Sequence, residues 1–286
     1  MQTIDKIGFA GMGIMGAAMA VHLLQAGYSI TVFNRTQDKC RPLLEKGADL
    51  ATSFAQLAGS CDVLICMLSD ADALHQNLDD ISSNVKARVI INMSTVSPHE
   101  SNELRRRSEI LGLNYIEAPV AGSKPAAEAG EMVVLCSGQS ESVEQYKSLL
   151  SCFSKQIVYC GEGSRACSLK LSLNALLANM TLALCESEVI CERLGVEPDL
   201  FFETLAMTAL NSPLFNIKRP LMTQHEYPAQ FPLTHMLKDL NLIQTALDDM
   251  DLGLPLLQAA RTQYVNVSTQ VDASTRDMSI VRELWA

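Results

Sequence analysis

Gly11-Met12-Gly13-Ile14-Met15-Gly16 lies between the apolar run Lys6 to Ala10 and the amphipathic stretch Met15 to Ala26, and its reading decides the fold. The spacing is G-x-G-x-x-G. The first glycine permits a tight turn, the second lets the backbone approach a pyrophosphate, and the third lets helix and strand pack closely. Alone the pattern is weak. A strand before it, a helix after it and a second strand ending at Asn34 make it the start of a dinucleotide-binding βαβ unit. At about 20 residues beyond such a motif an Asp or Glu binds the ribose hydroxyls of NAD, whereas an Arg accommodates the extra phosphate of NADP. Here that place holds Asn34-Arg35-Thr36. A guanidinium fork beside a hydroxyl suits a phosphate, so NADP(H) is the expected cofactor.

Outward from this turn, short apolar runs alternate with amphipathic ones as far as Cys160, the pattern of βα units around a largely parallel sheet. Strands are expected at Lys6 to Ala10, Ser29 to Asn34, Val63 to Met67, Val89 to Asn92, Tyr115 to Val120, Met132 to Ser137 and Gln156 to Cys160. After Gly161-Glu162-Gly163 the alternation stops. A helical pattern runs to Leu194, where Gly195 and Pro198 are stop signals. Leu169, Leu173, Leu176, Leu177, Met180 and Leu184 form one apolar stripe along it. Beyond Asp199 the segments Phe201 to Leu210, Leu233 to Asp249 and Leu256 to Val267 are helical in period. The expectation is an α/β fold with three parts: a Rossmann domain over residues 1–162, a long interdomain helix over 163–195 and an all-α domain over 196–286.

Composition narrows the function classes. The 286 residues carry 22 Lys plus Arg against 32 Asp plus Glu, a formal net charge of −10, and no basic run exceeds Arg105-Arg106-Arg107. Phosphate neutralisation needs a basic stripe, so no nucleic-acid partner is expected. Even Leu169 to Cys185 is interrupted by Ser172, Asn174, Asn179 and Thr181, so no membrane span is expected. Met1 to Asp5 lead at once into a strand, which leaves no room for a signal peptide. Nine cysteines, an odd number without C-x-x-C, read as reduced thiols in a cytoplasmic protein. His75, His99, His225 and His235 show no ligand spacing, and no metal is expected.

The chain resembles the β-hydroxyacid dehydrogenase family. The resemblance rests on Gly8 with the glycine-rich turn, on Asn34-Arg35-Thr36, on Ser94-Thr95-Val96-Ser97-Pro98, on Ala118-Pro119-Val120, and on Lys170 with Asn174, in that order over nearly the whole chain. Glu117 to Ala126, and Tyr227 to Leu233 followed by Lys238-Asp239, look most similar to the glyoxylate and succinic semialdehyde reductases within it. The resemblance implies an active site in a cleft between the two domains, with Lys170 as the catalytic residue. The chemistry agrees: hydride addition to an aldehyde puts negative charge on the carbonyl oxygen, and a lysine in reach polarises and protonates it. Asn174 is four residues on, hence on the same helical face, placed to orient Lys170 or to bind substrate.

The resemblance further implies that Gly11, Met12, Gly13, Ile14, Met15, Asn34, Arg35, Thr36, Met67, Leu68 and Thr95 bind cofactor. It implies that Lys238 closes over cofactor or substrate while Asp239 fixes it, and that Phe231 is an apolar wall near the nicotinamide. Ser94 and the turn Ala121-Gly122-Ser123-Lys124 are expected at the substrate, the turn aiming backbone N–H groups and a hydroxyl at a carboxylate. Three departures stand out: Ala121 where the family usually has Ser, Asn92 where it has Asp, and His22 where it has Asn. The leading expectation is an NADPH-dependent reductase of a small carboxylated aldehyde, assembled as a homodimer or homotetramer. The alternatives are oxidation of a hydroxy acid of the 3-hydroxyisobutyrate type, imine reduction, and a noncatalytic nucleotide-binding module, against which Lys170 counts.

Overall fold

A computed structural model describes residues 6–81, 85–250 and 252–286. Residues 1–5, on which the reading of the amino terminus rests, lie outside the described residues. The strands are β1 (Lys6–Ala10), β2 (Ser29–Phe33), β3 (Asp49–Leu50), β4 (Val63–Cys66), β5 (Val89–Asn92), β6 (Asn114–Glu117), β7 (Val120–Ala121), β8 (Met132–Ser137) and β9 (Ser154–Gly161). They form one sheet in the order β3-β2-β1-β4-β5-β6-β8-β7, with β9 paired to β8. Pairing is parallel except where β8 meets β6 and β7. The strand order turns at β1, which has β2 on one side and β4 on the other, and in open α/β sheets ligands gather at the carboxyl ends of the strands there.

Period-two alternation explains why the strands read as unbroken apolar runs. Ile7, Phe9, Val63, Ile65, Val89 and Ile91 belong to one core, and Leu64, Cys66 and Ile90 to another, so successive residues bury on opposite faces. Helices cover both: α1 (Ile14–Gln25), α2 (Arg41–Leu44), α3 (Phe54–Ser60), α4 (Ala71–Asp79), α5 (Pro98–Ile110), α6 (Lys124–Glu128) and α7 (Ser140–Leu150). Helix α5 starts at a capping box in which Ser97 Oγ accepts from Glu100 N while Glu100 accepts from Ser97 N. The expected strand Tyr115 to Val120 is two strands. Pro119 has no N–H to give a ladder, and its carbonyl instead accepts from Leu135 N at 2.9 Å.

Helix α8 runs Arg165–Arg193, followed by α9 (Pro198–Ala206), α10 (Pro213–Thr223), α11 (Leu233–Leu247), α12 (Pro255–Ser268) and a 3₁₀ segment, Met278–Trp285. The chain divides into compact units of residues 1–170 and 171–286, the boundary falling inside α8. The apolar stripe expected on α8 is its buried face only in part: Leu184 is buried and Leu177 and Met180 are half-buried. Leu169, Leu173 and Leu176 are exposed, whereas Lys170, Asn174, Ala178, Cys185 and Glu188 are buried. Three- and four-residue steps fit both faces, and the small or polar residues of the second are the ones that find partners. Although α8 has the length and apolarity of a membrane span, its buried Asn174 and Glu188 bond to other protein side chains.

Helix α10 is absent from the sequence reading, and it carries two prolines, Pro213 and Pro220. Pro213 sits in the first turn, where a missing N–H costs nothing. The helix is pinned by Lys218, whose Nζ lies 2.7 Å from Asp277 Oδ1 with both side chains buried. Asp277 also accepts from Ser279 N and Oγ and from the backbone of Gln230 and Phe231, so one carboxylate orders the entry to α11. A second buried pair joins Arg282 to Glu188 at 2.9 Å, with Glu192 beside it. The Asp277 carboxylate is met by several donors and the Arg282 guanidinium by two carboxylates, the kind of compensation that burying an ion pair requires.

Candidate active site

The glycine-rich turn stands at the carboxyl end of β1. Gly11 has φ +101°, and a Cβ there would meet Met67 O at 2.1 Å; a Cβ on Gly16 would meet Gly11 O at 2.0 Å. Neither position admits a side chain. Beside Gly13 a Cβ would meet nothing within 4 Å, so the backbone there faces open space. Gly13 also begins α1, whose first turn has no side-chain cap and no acidic residue. Uncapped N–H groups at a helix start, facing open space across a bare glycine, suit a pyrophosphate.

The other residues expected at the cofactor sort by what they touch. Asn34 accepts from Met12 N at 2.9 Å and donates to Thr36 O at 2.8 Å, tying the end of β2 to the glycine turn. Met12 buries its side chain in the core. Ile14, Arg35 and Thr36 are exposed. Met15, Met67 and Leu68 are half-buried.

Ser94 is buried at the end of β5 and its Oγ accepts from Leu68 N at 2.9 Å, while Thr95 beside it is half-buried. The Ser94 hydroxyl thus joins two strand ends, a part in the frame that the expectation of substrate contact did not include. In the turn after β7, Ala121 is half-buried, Gly122 is exposed with φ +143°, and Ser123 begins α6 without capping it. Lys124 lies 3.6 Å from Glu128, an exposed pair that neutralises little of its charge. His22 bonds through Nε2 to the carbonyls of Ala127 and Glu128, fastening α1 to α6.

Lys170 sits on α8 with 7 % of its surface exposed, and Asn174, one turn on, with 2 %. Asn174 Nδ2 donates to Asp239 Oδ2 at 2.5 Å. The other oxygen of Asp239 lies 3.2 Å from Lys238 Nζ, an ion-pair contact without hydrogen-bond geometry. Asp239, itself buried, therefore orients the two residues on either side of it in the site, Asn174 and Lys238. Phe231 packs edge-on to His235 at 6.2 Å against the core of residues 171–286.

A buried chain of polar side chains runs behind the strand ends. Asn92 Nδ2 donates to Tyr115 OH at 2.9 Å, Tyr115 OH and Ser101 Oγ are 3.1 Å apart, and Ser101 Oγ donates to Glu117 Oε1 at 2.5 Å. Burial pushes the Glu117 carboxyl above its usual range, opposed by these hydrogen bonds, and raises the Tyr115 hydroxyl further. Asn92, unlike an Asp, can donate into this chain, so its presence avoids a second buried carboxylate beside Glu117. Sequence reading missed Glu117, Ser101 and Tyr115 as residues of this polar chain. The only signal was the position of Glu117 directly before Ala118-Pro119-Val120.

The fold and the site define an NAD(P)-binding oxidoreductase. Residues 6–161 match the family model of the NAD binding domain of 6-phosphogluconate dehydrogenase, and residues 164–284 match that described as NAD-binding of NADP-dependent 3-hydroxyisobutyrate dehydrogenase. The chain belongs to the 3-hydroxyisobutyrate dehydrogenase-like β-hydroxyacid dehydrogenase family. It is 32% identical to glyoxylate/succinic semialdehyde reductase 2, chloroplastic, of Arabidopsis thaliana, over 97% of this chain and 78% of the relative. It is also 32% identical to glyoxylate/succinic semialdehyde reductase 1 of that plant, over 91% of each. The structure of Mycobacterium tuberculosis 3-hydroxyisobutyrate dehydrogenase with L-serine shares the fold at 23% identity, with a TM-score of 0.87 and 99% of each chain covered.

Proposed function

We propose that this protein is an NADPH-dependent reductase of small carboxylated aldehydes, of the glyoxylate or succinic semialdehyde kind, with Lys170 as general acid. The observation that carries the reading is the buried Lys170 one helical turn from an Asn174 that Asp239 holds in place. Bound NADPH supplies the hydride. Lys170 polarises the carbonyl oxygen and gives it a proton as negative charge develops there, an effect of about 10² to 10⁴-fold for general acids. Asn174, with its amide oriented by Asp239, fixes the substrate or the lysine beside it.

Preference for NADPH follows from the exposed Arg35 and Thr36 after β2, where no acidic residue competes for the ribose. The substrate carboxylate binds at Gly122 and Ser123, whose backbone N–H groups and hydroxyl replace the hydroxyl that Ala121 does not provide. A homodimer or homotetramer is part of this reading, supported by the exposed Leu169, Leu173 and Leu176 on α8. So is a reducing, cytoplasmic setting. All nine cysteines are free, and burial pushes the Cys61 and Cys136 thiols up to about 12.

NADPH oxidation with glyoxylate, succinic semialdehyde and butanal tests the proposal. The expected kcat/KM for succinic semialdehyde exceeds that for butanal at least about tenfold, in line with a charge-assisted hydrogen bond of about 1.5 to 3 kcal/mol. A ratio near one refutes the carboxylate. Lys170→Met should lower kcat by roughly 10² at unchanged NADPH affinity, and an unchanged kcat removes the lysine from the chemistry. The match of residues 164–284 favours one second reading, oxidation of 3-hydroxyisobutyrate. Faster NADP⁺ reduction by that hydroxy acid than NADPH oxidation by any of the three aldehydes would select it.

A further inference from the structure

We infer that Glu117 and Ser137 are positioning residues for Lys170: they bind the first turn of α8 from the ends of two strands and so fix where the lysine stands. This rests on the reading of Lys170 as the proton donor. The physical problem is the start of a long helix. The first four N–H groups of any α-helix have no partner within it. Here Ser168 N reaches Ser164 O, but the two N–H groups before it are met from the sheet. Ala166 N donates to Ser137 Oγ at 2.8 Å, and Cys167 N donates to Glu117 Oε2 at 3.2 Å. Glu117 ends β6 and Ser137 ends β8, and the two are direct partners across that antiparallel pair. A single rung of the sheet thus presents both acceptors to consecutive N–H groups of the helix.

Two consecutive N–H groups held by two fixed acceptors leave the helix no freedom to turn about its axis or slide along it. A slip of one residue would rotate every side chain by about 100°. Lys170 follows Cys167 by three residues and Ala166 by four, so it shares their face. Helical side chains lean toward the amino terminus, which carries Lys170 back over the bonded turn. The acceptors are themselves held. Ser101 Oγ fixes the other oxygen of Glu117, and the chain continues through Tyr115 and Asn92 to Ser94 N, with Ser94 Oγ accepting from Leu68 N. One hydrogen-bonded path therefore runs from the strand ends beside the glycine-rich turn to the helix that bears the lysine. Glu117 is 3 % exposed and Ser137 1 %, so water does not substitute for them.

The chemistry of the side chains separates positioning from acid–base work. Glu117→Gln retains an oxygen for Cys167 N and turns its amide toward Ser101 Oγ, which can accept it and donate to Tyr115 instead. Glu117→Ala retains neither. The experiment measures kcat, KM for NADPH and KM for succinic semialdehyde in the full-length chain. The variants are Glu117→Ala, Glu117→Gln, Ser137→Ala, Lys170→Met and the double variant Glu117→Ala/Lys170→Met. Misplacing a reacting group by about 1 Å can cost about a hundredfold. The expected result is a kcat at least tenfold lower in Glu117→Ala with KM for NADPH within twofold of wild type, recovery to within threefold in Glu117→Gln, and a smaller loss in Ser137→Ala.

In the Lys170→Met background Glu117→Ala should have no further effect, because no lysine remains to be misplaced. An undiminished kcat in Glu117→Ala overturns the inference. So does a Gln variant as slow as the Ala variant, or a full further loss in the double variant. If Glu117→Ala does not fold, Ser137→Ala and its double variant with Lys170→Met carry the same comparison. A wild-type kcat in Lys170→Met alone overturns the assignment of the lysine, a result separate from any outcome at Glu117.

Discussion

Removing the Asp239 carboxylate should unfold residues 171–286 earlier and slow turnover, and the size of the first effect follows from its partners. Asp239 is 2 % exposed, accepts from Asn174 Nδ2 at 2.5 Å and lies 3.2 Å from Lys238 Nζ. In Asp239→Ala the Asn174 amide keeps its burial and loses its acceptor, which costs about 1–3 kcal/mol. Lys238 is a quarter exposed and can turn to water, so its lost ion pair adds only about 0–1 kcal/mol. The total is about 3 kcal/mol. At about 2.1 cal/mol/K per residue, residues 171–286 unfold with an entropy of about 0.24 kcal/mol/K, and Tm should fall by about 12 °C. Asp239→Asn keeps an oxygen for Asn174 and replaces a charge-assisted bond by a neutral one, a loss of about 1 kcal/mol or about 4 °C. Calorimetry on the three proteins, with kcat for aldehyde reduction, provides the measurement. A wild-type Tm for Asp239→Ala refutes the burial and bonding on which the reasoning depends. An Asn variant as unstable as the Ala variant shifts the weight from Asn174 to Lys238.

Arg35→Ala should weaken NADPH binding by about tenfold, the lower end of the 1.5–3 kcal/mol range because the side chain is exposed, and leave NADH binding unchanged; equal losses by titration of both cofactors refute the phosphate contact. Ser123→Ala should raise KM for succinic semialdehyde and Ala121→Ser should lower it, each with a smaller effect on NADPH; steady-state kinetics showing no change at either position would place the carboxylate elsewhere. The raised carboxyl of Glu117 carries a sign for stability: the folded state holds this proton more tightly than the unfolded state, so its effect is harmless below the usual value of 4.5 and destabilising as pH rises through the folded value. Glu117→Gln should therefore gain stability relative to wild type as pH rises above the usual value of 4.5, and urea melts whose difference shrinks as pH rises contradict the prediction.

The amino-terminal half was legible because its signals are local. Glycine spacing, strands buried on both faces and βα alternation each constrain only a few neighbouring residues, and Gly11 and Gly16 are glycines for reasons of backbone conformation and close approach that any such turn imposes. The helices beyond residue 196 were visible where their period was clean. Helix α10 was not: it carries Pro213 and Pro220, and the anchor that holds it, Asp277, lies far along the chain from Lys218.

Sequence alone therefore determined the fold class, the dinucleotide turn, the basic residue after β2 and the lysine with its neighbour one turn away. Tertiary structure decided which face of α8 is buried, because two stripes satisfy the helical period and only packing selects the one with Lys170, Asn174 and Glu188. It also decided the partners of the polar residues. Asn174 and Asp239 are 65 residues apart and Cys167 and Glu117 are 50, separations over which no periodicity carries information. A buried donor must find its acceptor wherever the chain returns it, and that return is a property of the packed molecule.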